Sequence, residues 1–186
     1  MIHLILGGAR SGKSSYAESL AILAAESSNK TISYLATAIA QDDEMKARIK
    51  RHQLDRPKDW KVIEEPLLLT EKLNQLNDNN QLIIIDCMTL WITNWLCLNE
   101  GDGVNNLSSW EQEKSTFISQ LKKSKATILI VSNETGSGII PLGTLNRQFV
   151  DHAGWLNQEI AQVSQQVTLV VAGLPLELKN TSKVLN

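Results

Sequence analysis

The most informative segment of the chain reads Gly7-Gly8-Ala9-Arg10-Ser11-Gly12-Lys13-Ser14. It fits the pattern G-x-x-x-x-G-K-S/T and stands between an apolar run at 3–6 and a helix-forming segment at 13–26. Glycines let backbone N–H groups turn inward around a phosphate, and the following helix directs its positive dipole end at the anion. In this interpretation Lys13 bridges the β- and γ-phosphates and the Ser14 hydroxyl binds Mg²⁺. The alternative, a chance glycine-rich turn, is disfavoured by the strand before it and the helix after it.

The rest of the chain alternates short β-branched runs with segments of helix length, which is typical of a mostly parallel sheet flanked by helices on both faces. Predicted strands lie at 3–6, 31–36, 82–85, 127–131 and 168–171, with a shorter edge strand at 61–63. Predicted helices lie at 13–26, 42–54, 67–76, 89–98, 109–123 and 145–165, and 99–108 is a predicted loop. In such a sheet ligands bind beyond the carboxyl ends of the strands.

Size and charge limit the classes of function. The 186 residues predict one α/β domain spanning 1–186, and the formal net charge of −2 gives no general attraction for nucleic acid or anionic membranes. The longest uncharged apolar stretch, 88–98, is too short to cross a bilayer. The two cysteines, Cys87 and Cys97, lie in or beside apolar stretches and lack metal or redox spacing. We therefore expect a cytoplasmic protein with reduced, buried thiols and no membrane span.

A second element of a nucleotide site is an acidic residue at the end of an apolar run. Asp86 follows the strand predicted at 82–85, which places its carboxylate on the ligand side of the sheet, where it would orient the metal. A strand-end cap or an Asx turn is the alternative. Together with the glycine-rich segment, Asp86 indicates chemistry on a magnesium-bound nucleotide. The acceptor stays open from these residues, although the chain lacks the Asn-Lys-x-Asp motif of switch GTPases.

The helix predicted at 42–54 carries the best-placed histidine. Acidic residues stand at its start and cations follow, as a helix dipole favours, and His52 lies among Arg48, Arg51 and Arg56. A neutral imidazole beside a bound phosphate is a nucleophile. An exposed basic helix with an incidental histidine is the alternative, and the pattern alone favours it.

Taken together, these segments resemble the bifunctional adenosylcobinamide kinase / adenosylcobinamide-phosphate guanylyltransferase family of cobalamin biosynthesis. The resemblance covers nearly the whole chain. It is carried by residues 7–14, Ala36-Thr37, Asp42-Asp43-Glu44-Met45-x-x-Arg48-Ile49-x-x-His52, Arg56-Pro57-x-x-Trp60, Val131-x-Asn133-Glu134-x-Gly136-x-Gly138-Ile139-x-Pro141 and Asp151-x-x-Gly154-x-x-Asn157-Gln158.

The resemblance implies a P-loop NTPase fold of the RecA-like type and two reactions that use ATP or GTP with Mg²⁺. Adenosylcobinamide is phosphorylated on its aminopropanol hydroxyl, and GMP is then transferred from GTP to adenosylcobinamide phosphate through a guanylylated histidine. His52 would be that nucleophile and Lys13 the second catalytic residue. The resemblance also implies a homo-oligomer, a trimer in this family.

Positions carried over from the family imply further nucleotide contacts. These are Gly7, Gly8, Ala9, Arg10, Ser11, Gly12, Lys13 and Ser14, then Thr37, Ala38, Ile39, Gln53, Leu54, Asp55, Glu64 and Asp86, with Ser14 and Asp86 also as metal ligands. Glu64 would select guanine by accepting its N1 and N2 protons, or it is an exposed charge at a strand end. Asn133 and Glu134 either contact the corrinoid or the metal, or form a tight turn.

Two rival functions stay open from the sequence. One is a P-loop kinase of another small hydroxyl substrate, without nucleotidyl transfer, in which His52 only binds phosphate. The other is a non-catalytic module that binds nucleotide, which the presence of Lys13, Ser14 and Asp86 together disfavours.

Overall fold

The computed structural model describes residues 1–39, 43, 46, 57, 59–97, 107–138 and 142–181. In these residues seven strands form one sheet in the order β3-β2-β4-β5-β1-β6-β7. Every neighbouring pair is parallel except β6 and β7. The strands are β1 (Ile2–Gly7), β2 (Thr31–Ala36), β3 (Lys61–Glu64), β4 (Gln81–Asp86), β5 (Thr127–Asn133), β6 (Gln166–Val171) and β7 (Leu174–Asn180).

Helices cover both faces of this sheet, as a parallel sheet requires. They are α1 (Lys13–Ser28), α2 (Leu69–Gln75), α3 (Met88–Leu96), α4 (Leu107–Lys123) and α5 (Thr144–Val163). On one face Ala17 and Ala21 of α1 pack into a cluster with Ile5 and Ile84. On the other face α2 to α5 enclose the larger cluster, where the ring centroids of Trp91 and Trp110 lie 4.9 Å apart. No described helix is long and apolar enough to cross a membrane.

The six predicted strands are present, each within two residues of its predicted bounds, and so are five of the six predicted helices. Some helix boundaries were wrong. The predicted loop 99–108 ends early because α4 begins at Leu107, α2 begins at Leu69 rather than 67, and α5 ends at Val163 rather than 165. Ser164 is extended, and the Gln165 side chain instead accepts the Ile2 N–H at 2.6 Å. Of the helix predicted at 42–54 only 43 and 46 are described, and both are helical.

Strand β7 was missed from the sequence. It pairs antiparallel with β6 through a two-residue turn in which Ala172 and Gly173 both have positive φ, 52° and 78°. Pro175 weakens the strand pattern, yet it is tolerated because β7 is the last strand of the sheet. A glycine that follows a β-branched run was the signal available for this hairpin.

Candidate active site

The glycine-rich loop joins the end of β1 to the start of α1 and folds around its own lysine. Lys13 is buried, and its Nζ donates a hydrogen bond to the Gly8 carbonyl oxygen at 3.0 Å. Gly12 has φ of +95°, a conformation that favours glycine. Gly8, Ala9 and Arg10 are exposed. The loop therefore presents its backbone to solvent over a buried ammonium, which is the arrangement an anionic phosphate group requires.

Two other segments fix the loop from outside. The Glu134 N–H donates to the Gly7 carbonyl oxygen at 3.0 Å, and the Gly173 N–H donates to the Ser11 carbonyl oxygen at 2.8 Å. A Cβ on Gly7 would collide with the Ser11 side chain and would lie 2.7 Å from the Val170 carbonyl oxygen. The close approach of these backbones, rather than a positive φ, explains the glycine at position 7.

Asp86 ends β4, and the sheet register places it between Ala36 of β2 and Val131 of β5. The Tyr34 hydroxyl donates to Asp86 Oδ2 at 2.6 Å, a short charge-assisted hydrogen bond. Tyr34 is 1% exposed, so the carboxylate is held from within the core. No pattern in the sequence indicated this contact. A tyrosine in a buried strand is as common in a purely packing role as in one where its hydroxyl binds a carboxylate.

The charges of Asp86 and Lys13 act in opposite directions on the Cys87 thiol. Burial raises the pKa of Cys87, the Asp86 charge raises it further, and the Lys13 charge opposes this. Asp86 and the Ser14 hydroxyl are hard oxygen donors, and in the described residues no cluster of three or more His, Cys, Asp or Glu side chains forms a protein cage for a metal. This donor set fits Mg²⁺, which usually binds through one or two protein oxygens together with substrate phosphates and water.

Thr37, which follows β2 and is predicted to contact the nucleotide, makes hydrogen bonds within the fold. The Thr37 hydroxyl donates to the Cys87 carbonyl oxygen at 2.7 Å and accepts from the Cys87 N–H at 2.8 Å. The Thr37 carbonyl oxygen accepts from Asn94 Nδ2 at 2.8 Å. Thr37 thus joins the ends of β2 and β4, and a nucleotide contact there stays a prediction. Asn94, buried in α3, was missed from the sequence, although a polar residue in an apolar helix was the available signal.

The other predicted positions differ in accessibility. Ala38 is half-buried, Ile39 is 41% exposed and Glu64 is an exposed side chain at the end of β3, beside Ala36. Glu64 therefore lies on the carboxyl side of the sheet. The remaining predicted residues, His52, Gln53, Leu54 and Asp55, lie outside the described residues.

The two other histidines belong to the packing of the domain. His3 Nε2 lies 2.8 Å from Thr168 Oγ1, and burial lowers the His3 pKa to about 4. Trp110 Nε1 donates to His152 Nδ1 at 3.2 Å, and burial lowers the His152 pKa as well. Each imidazole is therefore neutral at pH 7 and engaged away from the loop.

The segment after β5 also packs beside the loop. Asn133 Nδ2 donates to Thr89 Oγ1 at 2.8 Å, and Glu134 Oε1 accepts from the Gly136 N–H at 2.7 Å. Glu134 therefore closes a tight turn with one carboxylate oxygen. The turn predicted as one alternative for this segment is present, and the contact with substrate predicted as the other stays a prediction.

Comparison with known proteins extends these findings. Residues 3–178 match the family described as cobinamide kinase / cobinamide phosphate guanyltransferase. The chain is 44% identical to the bifunctional adenosylcobalamin biosynthesis protein CobP of Pseudomonas aeruginosa over 96% of this chain and 98% of that protein. It is 34% identical to the bifunctional adenosylcobalamin biosynthesis protein CobU of Escherichia coli K12, over 96% of this chain and 100% of that protein.

Solved structures give the same fold at much lower identity. One of them, an ATPase domain, superposes with a TM-score of 0.52 at 10% identity, covering 90% of this chain and 68% of that one. The flagellar accessory protein FlaH of Methanocaldococcus jannaschii superposes with a TM-score of 0.51 at 16% identity, covering 96% of this chain and 78% of that one. The expected fold, a mostly parallel sheet flanked by helices, is thereby confirmed.

Proposed function

The chain belongs to the cobinamide kinase / cobinamide phosphate guanyltransferase family, and from this premise we propose that it carries out both reactions through the loop of residues 7–14 and His52. In the first, ATP or GTP phosphorylates the aminopropanol hydroxyl of adenosylcobinamide. In the second, GMP passes from GTP to adenosylcobinamide phosphate and gives adenosylcobinamide-GDP. The observation that carries the proposal is the buried Lys13 ammonium, which donates to the Gly8 carbonyl oxygen inside the loop of residues 7–14.

For the kinase step, the chain contributes position and charge. Backbone N–H groups of the loop and the start of α1 bind the β-phosphate, and Lys13 neutralises charge that grows on the bridging oxygen as the γ-phosphoryl group leaves. Bound Mg²⁺ supplies further neutralisation of the phosphate oxygens, with Ser14 and Asp86 as its protein ligands. Tyr34 keeps the Asp86 carboxylate in one orientation.

For the guanylyl step, we assign His52 as the nucleophile. A neutral His52 nitrogen attacks the α-phosphorus of GTP, and pyrophosphate leaves while Lys13 neutralises its charge. The phosphate of adenosylcobinamide phosphate then attacks the phosphoramidate and releases His52. Glu64, exposed at the end of β3, is the proposed acceptor for the guanine N1 and N2 protons. Thr37, Ala38, Ile39, Gln53, Leu54 and Asp55 complete the proposed nucleotide contacts.

A labelling experiment tests the histidine. The protein is incubated with GTP labelled at the α- or the γ-phosphorus, and the denatured chain is assayed for label. We expect retention only from the α-position, in an acid-labile and base-stable linkage, and its loss in His52→Ala. His152→Asn is the matched control, since His152 already accepts a hydrogen bond from Trp110 away from the loop.

The outcomes separate the rival functions. Persistence of the label in His52→Ala refutes the assignment of the nucleophile. Phosphorylation of a small hydroxyl substrate without any retained label supports a P-loop kinase that lacks the nucleotidyl step. Nucleotide binding without turnover of either kind supports the non-catalytic module.

Two further expectations belong to the proposal. We infer a homo-oligomer, a trimer, as the family resemblance implies. Light scattering of the active enzyme tests this, and a monomeric mass with full activity contradicts it. We also infer a cytoplasmic location, where nucleoside triphosphates are available, and cell fractionation tests it.

A further inference from the structure

A groove of about 580 Å³ lies beside the start of the phosphate loop, and none of the residues assigned to phosphoryl or guanylyl transfer lines it. Helix α5 forms one wall, and β6, β7 and the turn after β5 form the other. Two segments quoted for the family resemblance meet in it, since Glu134 and Gly136 come from one and Gly154, Asn157 and Gln158 from the other. The two segments are well separated in the chain, so only the fold brings them together.

The groove is connected to the phosphate loop by backbone contacts. Leu6 lines it and directly precedes Gly7, the first residue of the loop. Glu134 lines it too, and its N–H donates to the Gly7 carbonyl oxygen at 3.0 Å. A molecule in the groove therefore ends next to the site proposed for the nucleotide phosphates, which is where a phosphoryl acceptor has to lie.

One lining side chain has an unsatisfied polar atom. Asn157 is 8% exposed, and its Nδ2 donates to the Asn133 carbonyl oxygen at 3.2 Å. Its buried Oδ1 accepts no hydrogen bond from any described residue. Ser132 Oγ, buried in β5 next to Leu6, is in the same situation. Buried carbonyl oxygens normally have a donor, so the Asn157 amide gains a hydrogen bond when it turns toward a donor in the groove.

The charges of the groove argue against a second nucleotide. The end nearest the loop carries the Glu134 carboxylate, which repels another polyphosphate. Lys179 lies at the far end, and its ammonium donates to the carbonyl oxygens of Ala161 and Gln162 at the end of α5. Leu178 and Val167 add apolar surface. The groove suits an uncharged molecule with hydroxyl or amide donors and apolar faces.

We propose that this groove binds cobinamide, the acceptor of the kinase step, with its aminopropanol arm and neighbouring amide side chains inside the groove and the macrocycle extending outside. The arm's hydroxyl donates to Glu134, and rotation of the Asn157 side chain brings its Oδ1 into the groove, where a peripheral amide N–H donates to it. A corrinoid combines amide donors with an apolar ring, and its arm carries no charge before phosphorylation. This inference rests on the proposed function, because cobinamide is its ligand.

Gly154 offers a way to fill the groove. It is exposed on α5, and a Cβ built on it meets no atom within 4 Å, so a larger side chain enters open space. Binding of cobinamide is measured by equilibrium dialysis, using the corrinoid absorbance, and nucleotide affinity is measured separately with a fluorescent GTP analogue. We expect Gly154→Phe to weaken cobinamide binding at least tenfold while nucleotide affinity stays within twofold. Ser115→Phe, which places the same side chain at an exposed position on α4, is the matched control and changes neither.

A second variant tests the polar contact without filling the groove. Glu134→Gln keeps the side-chain oxygen that accepts from Gly136 but removes the charge. We expect cobinamide to bind about three- to tenfold more weakly to this variant, at unchanged nucleotide affinity. Unchanged binding of cobinamide to both Gly154→Phe and Glu134→Gln overturns the proposal.

The remaining outcomes separate this proposal from the proposed function. If the wild-type enzyme phosphorylates cobinamide while both Gly154→Phe and Glu134→Gln bind cobinamide normally, the function stands and the groove is not the acceptor site. If the wild-type enzyme neither binds nor phosphorylates cobinamide, the proposed function fails and this inference fails with it. If Gly154→Phe instead changes the mass measured by light scattering, the groove is an interface between copies of the chain, which also overturns the proposal.

Discussion

Strands β4 and β7 both help to form the candidate site, but they differ in burial and in the number of strands that pair with them. The apolar residues 82–85 of β4 are fully buried between the helical layers. On β7 the leucines at 174, 176 and 178 are 72%, 57% and 55% exposed. β4 has paired neighbours on both sides, whereas β7 pairs only with β6 and ends the sheet.

The two strands also contribute different chemical groups to the site. β4 ends in Asp86, a side chain with chemistry of its own, while the turn before β7 contributes the Gly173 N–H that binds the loop at Ser11. These two elements are the supports of the site. The β4 support is held in place by dense packing, and the β7 support is held by a few hydrogen bonds at the edge of the sheet. Changes near β4 should therefore alter stability or chemistry strongly, and changes near β7 should act mildly, through the position of the loop.

Replacement of Lys13, the buried cation of the loop, should have the largest effect. We expect Lys13→Ala to lower the rates of phosphoryl and guanylyl transfer about 10³-fold, because it removes a buried charge aimed at the phosphates. Stability should change little, since the cost of burying an ammonium offsets the hydrogen bonding that it gains in the fold. Steady-state kinetics and urea unfolding measure the two effects, with Lys122→Ala on the exposed surface of α4 as control. A loss of less than tenfold contradicts the role.

A pair of truncations compares the supports directly. Ile84→Ala in β4 should lower the free energy of unfolding by about 2–5 kcal/mol, because it leaves a cavity in a fully buried site. Leu176→Ala in β7 should change it by less than about 0.5 kcal/mol, because the side chain is mostly exposed. Urea unfolding measures both. If the two variants lost equal amounts of unfolding free energy, β7 would have to be covered in solution by something else, such as a second copy of the chain.

Tyr34→Phe tests how much the core contributes to the metal site. The change keeps the ring stacked on Trp60, with centroids 6.4 Å apart, and removes the hydroxyl that donates to Asp86. A hydrogen bond to a charged group contributes about 1.5 kcal/mol, so the Mg²⁺ concentration needed for half-maximal nucleotide binding should rise roughly tenfold. A titration followed with a fluorescent nucleotide measures it, and Tyr16→Phe is the control. An unchanged Mg²⁺ requirement would show that Asp86 needs no such support.

These supports also show where sequence reasoning ends. The loop from Gly7 to Ser14 and the position of Asp86 are predictable, because a glycine pattern or an apolar run with a terminal acid encodes its own local geometry. The contacts of Tyr34 with Asp86 and of Gly173 with Ser11 join residues more than fifty positions apart. Nothing in the neighbouring sequence of either partner specifies them, since they depend on the order of strands in the sheet.

The groove shows the same limit at the level of a surface. Each of its two segments was recognisable by itself, but the sequence did not indicate that Glu134 and Asn157 line one space. The turn after β5 could be predicted as one alternative because its glycines are local signals. The role of His52 stays a prediction, since that residue lies outside the described part of the chain.

Gly173→Ala should give the smallest effect, and it tests the weaker support. Gly173 has φ of +78°, where an alanine costs about 1 kcal/mol, and a Cβ there meets no atom within 4 Å, so any effect comes from the backbone alone. If the turn relaxes to relieve this strain, its N–H moves away from Ser11, and nucleotide affinity should fall about three- to fivefold. Ala172→Gly is the matched control, because it removes a strained φ of 52° from the same turn and should leave affinity unchanged. Should Gly173→Ala lower the free energy of unfolding and leave nucleotide affinity intact, the hairpin stabilises the sheet edge but does not position the loop, and the site depends on the β4 side alone.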